Sequence, residues 1–225
     1  MRASPIGDFP RGFTLIELLI VITIIAVLAS IAIPVFNGVQ ERAKATQDMN
    51  NLRQIGLATQ LYLNDNDGVI FSTDASAGPW MTQLHPKYLA AWKIFQSPFD
   101  NRSPAENNTA PISYGLNGNP GGGAQGIAGL PMDRIMNPST FILFAPAQAT
   151  GASVSFLGTP AAAVLVFKDS VPAAAGGTHS SRKRINALFA DLHSEAMPWN
   201  VFKNDSVTSA DPNAPFRWNP YTPYP

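Results

Sequence analysis

Two groups of side chains in this sequence have the types and spacing of metal ligands. Asp65, Asp67, Gly68 and Asp74 fall at positions three, five, six and twelve of a calcium loop that would begin at Leu63. Leu63 offers no side-chain oxygen at the first ligand position, and Asp74 is shorter than the glutamate such loops end on. The stretch therefore reads first as a helix-to-strand turn, with calcium the one cofactor left open. His179, Asp191 and His193 form the second group, since two imidazoles and a carboxylate suffice for zinc. Asp191 and His193 would share one face of a strand, but an Asp there also closes a turn through its own backbone, so no metal is the default expectation. Arg182-Lys183-Arg184 offers three charges for phosphates. No aromatic residue interleaves with them along the chain, so they read as a solvated loop and nucleic acid is not expected as a partner. Ser, His and acidic residues are present, yet none sits in a nucleophile elbow or similar context, and the chain is not expected to be an enzyme.

Glu17 poses a different problem. From Leu18 to Ile33 the sequence has no charge, and Phe13 to Phe36 would measure about 36 Å as a helix, long enough to cross a bilayer. Only Met1 to Gly12 precede it, with Arg2 and Arg11 against Asp8, which puts positive charge on the side expected to stay cytoplasmic. A carboxylate at the mouth of such a run costs free energy unless it has a partner. A chain cut after Gly12 would supply one, because the new amino group at Phe13 could neutralise Glu17 in the same chain or in a neighbouring subunit.

The residues RGFTLIELLIVITIIAVLASIAIP, from Arg11 to Pro34, resemble over their whole length the processing and methylation segment of type IV prepilins and type II secretion pseudopilins. Gly12, Phe13, Thr14, Glu17 and the apolar run match together. The resemblance implies that a prepilin peptidase cleaves between Gly12 and Phe13 and methylates the Phe13 amine. It also implies that Glu17 pairs with the Phe13 amine of an adjacent subunit during assembly. Gly12 suits its part, since a residue without Cβ lets a protease approach the backbone closely.

Pro34 removes a helical hydrogen bond, so a kink or local melting is expected there. The helix should then resume with an apolar face made of Val39, Ala43, Met49, Leu52, Ile55, Gly56, Tyr62 and Leu63, and with Glu41, Arg42, Lys44, Asp48 and Arg53 largely elsewhere. Asn64 to Gly68 should stop it. Short β-like runs follow at Val69–Ser72, Ile112–Tyr114, Phe141–Ala145, Ser153–Leu157, Val164–Lys168 and Ile185–Ala190, with a helical turn over Trp80–Tyr88 and a glycine-rich linker over Asn117–Gly129.

A second resemblance, to a group of bacterial pilin-like proteins, rests on Asn51–Ala58, Tyr62, Asn64–Gly68, Phe95–Asp100, Ser113–Gly118, His179 and Asn186–Asp191. That group ends in a histidine, a spacer and an Asp-Gly hairpin. Here eleven residues separate His179 from Asp191 where the usual spacer is nine, and Leu192 stands in place of the glycine that normally supplies positive φ.

The expected organisation is a leader over 1–12, a transmembrane and assembly helix over 13–36, an amphipathic helix over 37–63, an antiparallel β domain over 64–198 and a Pro/aromatic-rich tail over 199–225 that covers a sheet edge. The fold class is α+β, a long helix packed on a small antiparallel sheet. Lys+Arg 15 against Asp+Glu 15 leaves no global field for polyanions, and the absence of cysteine removes disulfides and thiol chemistry. The expected function is a filament subunit of the type IV pilus or type II secretion pseudopilus kind, sited first in the cytoplasmic membrane with its C-terminal domain outside. Its partners would be the peptidase, copies of itself or other pilins, and inner-membrane assembly machinery. The competing reading is a solitary anchored binding module that uses the processing signal only for placement.

Overall fold

The computed structural model describes residues 13–72, 77–118, 126–149, 153–162, 176–204, 208 and 210–221. The expected leader, Gly12, Asp74, the run Val164–Lys168 and most of the glycine-rich linker lie outside them. The chain divides into two compact units between Gln40 and Glu41.

One helix, α1 (Leu15–Asp65), enters both units. It is helical throughout, and Pro34 lies inside it without interrupting the assignment, so the melting expected there does not occur. Its end is a left-handed cap: the Leu63 carbonyl accepts from Gly68 N at 2.9 Å and Asn66 N at 3.2 Å. Asp67 (φ 52°) and Gly68 (φ 75°) make the turn, as the run of Asn, Asp and Gly foretells.

In the second unit α1 buries Asp48, Asn51, Leu52, Ile55, Gly56, Ala58, Thr59 and Leu63. Leu52, Ile55, Gly56 and Leu63 were expected on that face, whereas Val39 and Ala43 are exposed. Asp48, expected largely away from it, is fully buried, because three side chains donate hydrogen bonds to its carboxylate (below).

The sheet is antiparallel throughout, in the order β1 (Tyr114–Leu116), β2 (Ile142–Pro146), β3 (Arg184–Phe189), β4 (Ser194–Pro198). Asn186 and Leu188 of β3 face α1; Asn186 bonds to Ala45 and Asp48, and Leu188 lies against Gly56. By alternation Ile185 and Ala187 face the other way, and they too are fully buried. Burial on both faces explains why β2 and β3 read as apolar runs without alternation. Beside them Phe71, Trp80, Phe95 and Phe144 form an aromatic cluster with ring centroids 4.6 to 6.2 Å apart.

Several elements differ from expectation. Strand β4, of sequence SEAMP, was not foreseen; its register on β3 runs from Arg184↔Pro198 to Leu188↔Ser194. Tertiary pairing recruits it, since its own residues are too polar to announce a strand. The runs at Val69–Ser72 and Ser153–Leu157 each contribute a single bridge, Val69 to Pro131 and Phe156 to Gln148. The helical turn α2 is Trp80–Leu84 and stops before Pro86. At the β3–β4 hairpin Leu192 adopts φ 68°, taking the left-handed conformation that glycine would hold without strain.

Residues after Pro198 join the head instead of merely covering an edge. The short helix α3 (Trp199–Lys203) packs on β3 and β4, and Phe202 is fully buried. Trp218 donates from Nε1 to Phe202 O at 3.0 Å, and Arg217 grips Asp211 through Nη1 at 2.7 Å and Nη2 at 2.6 Å. Pro220 O accepts from Met136 N at 3.1 Å.

Candidate functional site

In the N-terminal unit nothing packs on the helix among the described residues. Every residue from Phe13 to Phe36 is exposed except Ala29, which is half-exposed, although the stretch is long and apolar enough to cross a membrane. At its start Thr14 and Glu17 form a capping box: Thr14 N and Thr14 Oγ1 donate to Glu17 Oε2 at 2.9 and 2.7 Å, and Glu17 N donates back to Thr14 Oγ1 at 3.3 Å. These bonds satisfy backbone donors that a helix start leaves open, and they set the negative charge at the positive end of the helix dipole. The premise that Glu17 lacks any partner except a freed amine is therefore corrected, since it has a local one three residues before it in Thr14. The Thr14 N–H belongs to the Phe13–Thr14 peptide bond, so cleavage between Gly12 and Phe13 would leave the box intact. Only Oε2 is engaged among the described residues, which leaves Oε1 to receive a second donor.

The head has its own polar centre, at Asp48. Its Oδ1 accepts from Ser97 Oγ at 2.5 Å and Tyr114 Oη at 2.6 Å, and its Oδ2 accepts from Asn186 Nδ2 at 2.8 Å. One turn on, Asn51 Nδ2 donates to Gln96 O at 3.0 Å. A single carboxyl thus ties α1 to the 96–100 loop, to β1 and to β3. Among the described residues no cation reaches it, so burial raises its pKa despite the three hydrogen bonds, and burial together with Asp48 pushes the Tyr114 phenol up. The site was missed in the sequence, although Asp48, Leu52, Ile55, Thr59 and Leu63 continue one helical stripe and place Asp48 on it. Next to it Asp100 binds Arg102 and Ser113 Oγ, and Arg102 also donates to Gly158 O and Ile112 O, which fixes the loop that presents Ser97.

Among the described residues the candidate metal ligands do not assemble. Asp65 accepts from Lys87 Nζ at 2.7 Å and Tyr88 Oη at 2.9 Å, which hold its carboxyl below the ordinary value. Asp67 occupies the helix cap, and Asp74 is outside the described residues. His179 is buried, stacked on Phe99 at 5.9 Å, and bridges to Arg184 at the start of β3. Burial and Arg184 lower its pKa, against Glu41. Asp191 and His193 do meet, Oδ1 to Nδ1 at 2.5 Å, but beyond the far end of β3, about 17 Å along the strand from Arg184. Among the described residues no three His, Asp or Glu side chains converge as a metal site.

Residues 10–33 match the family model described as the prokaryotic N-terminal methylation motif. The chain is similar to the type IV major pilin protein PilA of Myxococcus xanthus, 43% identical over 67 residues, which is 30% of each chain. It is 39% identical over 66 residues to the type II secretion system core protein G of Escherichia coli, covering 29% of this chain and 43% of that one. Against the type IV major pilin protein PilE1 of Neisseria gonorrhoeae it is 32% identical over 85 residues, 37% of this chain and 47% of the relative. The chain thus spans less than half the length of each of these relatives. No solved structure matches it. With the methylation motif on a helix that runs into an antiparallel α+β head, this chain is a pilin- or pseudopilin-like protein.

Proposed function

We propose that the protein is a structural subunit of a helix-cored filament of the type IV pilus or type II secretion pseudopilus kind. The observation that carries this reading is the apolar surface from Leu15 to Phe36, which no described residue covers, followed along the chain by a head that buries a core of its own. A surface of that size is untenable in water. Lipid covers it before assembly, and the same surface of neighbouring subunits covers it afterwards, through packing and interhelical bonds.

In this reading a prepilin peptidase cuts between Gly12 and Phe13 and methylates the Phe13 amine, in a subunit anchored in the cytoplasmic membrane with its head outside. Glu17 Oε2 stays in the capping box while Oε1 takes the Phe13 amine of the adjoining subunit. One carboxylate then serves both the start of its own helix and the register of the next. Inner-membrane assembly machinery and other pilins are the remaining partners, and no catalytic step is required of this chain.

The test is to compare wild type with Glu17→Ala and Glu17→Gln in sheared surface material, alongside mass spectrometry of the mature N-terminus. Wild type should give fibres of subunits that begin at N-methyl-Phe13. Glu17→Ala should lose most of the polymer while a folded, membrane-held pool persists, and Glu17→Gln, which keeps the cap but not the charge, should lose polymer as well. Unchanged fibre yield in both variants would remove the physical basis of the proposal. Processed subunits that stay monomeric in wild type would favour the solitary anchored module.

A further inference from the structure

Asn107-Asn108-Thr109 has the pattern that accepts a saccharide through nitrogen: an asparagine, any residue but proline, then a hydroxyl residue. So short a pattern recurs by chance, and the structure has to single one out. Four asparagines in the chain have Ser or Thr two residues on, at 101, 107, 137 and 204. Pro138 stands between Asn137 and Ser139, and the Asn137 amide nitrogen is buried. Asn204 spends its Nδ2 on Asp211 Oδ2 at 3.2 Å. Asn101 is exposed, but among the described residues no bond joins it to Ser103. At Asn107 exposure and the engaged hydroxyl come together.

The head holds that residue out on a fixed turn. Before it Glu106 Oε2 accepts from Trp92 N at 3.0 Å, and after it Ala110, 1% exposed, donates its N–H to Asn107 O at 2.9 Å. Between these anchors Asn107, Asn108 and Thr109 are all exposed. Asn107 Oδ1 accepts twice, from Thr109 N at 2.8 Å and Thr109 Oγ1 at 2.6 Å, while its Nδ2 donates to no described residue. A carboxamide nitrogen is a poor nucleophile because its lone pair is shared with the carbonyl. As Nδ2 loses a proton, negative charge collects on Oδ1, where two donors already stand to hold it. We propose that Asn107 is the attachment site of an N-linked saccharide. The donor is a glycosyl diphosphate carried on a membrane lipid. The Nδ2–C1 bond forms, the C1–O bond to the diphosphate breaks, the diphosphate leaves with the electron pair, and Nδ2 gives one proton to a base of the transferring enzyme. This chain supplies only the acceptor. The inference rests on the reading above in one respect, that the head lies outside the membrane, where such a donor is displayed.

The experiment is mass spectrometry of tryptic peptides from the full-length protein taken from its own cells. Trypsin puts Asn107 in the peptide 103–134 and Asn101 in the peptide 94–102. The first should carry added mass that yields sugar fragment ions and resists mild alkaline elimination, which strips O-linked saccharides; the second should be bare. Asn107→Gln and Thr109→Val should each abolish the added mass, Thr109→Ser should retain it, and Asn101→Gln should leave it unchanged. All three substituted residues are exposed, so the core of the head is untouched. Thr109→Val is the decisive variant, because it keeps the acceptor amide and the shape of the side chain while removing the hydroxyl. A bare 103–134 peptide from wild type overturns the proposal. So does added mass that survives Asn107→Gln, since that marks a Ser or Thr oxygen in the same peptide. The N-terminal peptide of the same digest reports on the filament reading separately: subunits that begin at Phe13 with Asn107 bare sink this inference and leave that reading standing.

Discussion

Within one continuous helix, the residues up to Gln40 and those from Glu41 onward live under opposite conditions. Among the described residues the first stretch buries none of its large apolar side chains: Leu18 is 55% exposed and Ile25 58%. The second has Leu52 and Ile55 at 0% and even buries an acid, Asp48. Backbone conformation is the same in both, so helix formation alone explains neither. What differs is the solvent each face is built for. The first stretch finds no apolar cover among the described residues, whereas the second has its surroundings folded around it by the sheet and the 96–100 loop.

Paired substitutions break or sharpen that contrast. The largest expected effect is Leu52→Ala, which should destabilise the head by about 2–5 kcal/mol through lost burial and a cavity. Leu18→Ala should leave head unfolding unchanged; chemical denaturation of the detergent-solubilised chain reads both. An equal loss from the two would erase the distinction.

The buried acid gives the next effect, in pH dependence. An aspartate whose folded pKa lies above its unfolded value of 3.8 contributes fully below that value and loses its contribution as pH rises toward the folded one. Asp100 and Asp211 shift the other way and pull in the opposite direction, so the informative quantity is wild type minus Asp48→Asn. Head stability of wild type relative to the variant should fall as pH rises above about 4. Asparagine keeps the Oδ1 that accepts from Ser97 and Tyr114 while removing the titration. A flat difference would show that Asp48 is not held neutral.

The smallest effects come from two glycines. A Cβ at Gly38 meets nothing within 4 Å, and Gly38→Ala should raise helix stability by about 0.5–1 kcal/mol. At Gly56 the Cβ would sit 3.1 Å from Leu188 Cδ1 and 3.3 Å from Cδ2, against a fully buried side chain. Gly56→Ala should therefore cost about 1 kcal/mol net despite better helix propensity. The same substitution with opposite signs in one helix is the finest test of the contrast, read by thermal melts.

Legibility followed the same division. The apolar span, the turn at Asn64–Gly68 and the core positions Leu52 and Ile55 are local patterns of type and period, and they stand in the structure as the sequence implies. Strand β4 was illegible because its polar residues become a strand only by pairing with β3. Asp48 was assigned to the wrong side because charge was allowed to outweigh period, and its three donors come from 49, 66 and 138 residues away in the chain. Glu17 was read as lacking a partner because the hydroxyl three residues before it was not weighed as a cap.

Sequence by itself determined the apolar helix, its acid at the fifth residue from Phe13 and the switch to a β-containing head, because each depends on neighbours within a few turns of chain. Only the tertiary structure decided which polar groups are buried, where Trp199 lies relative to the basic turn, and that His179 stands apart from Asp191 and His193. Those outcomes depend on segments far apart in the chain meeting in space, and side-chain period carries no information about that meeting.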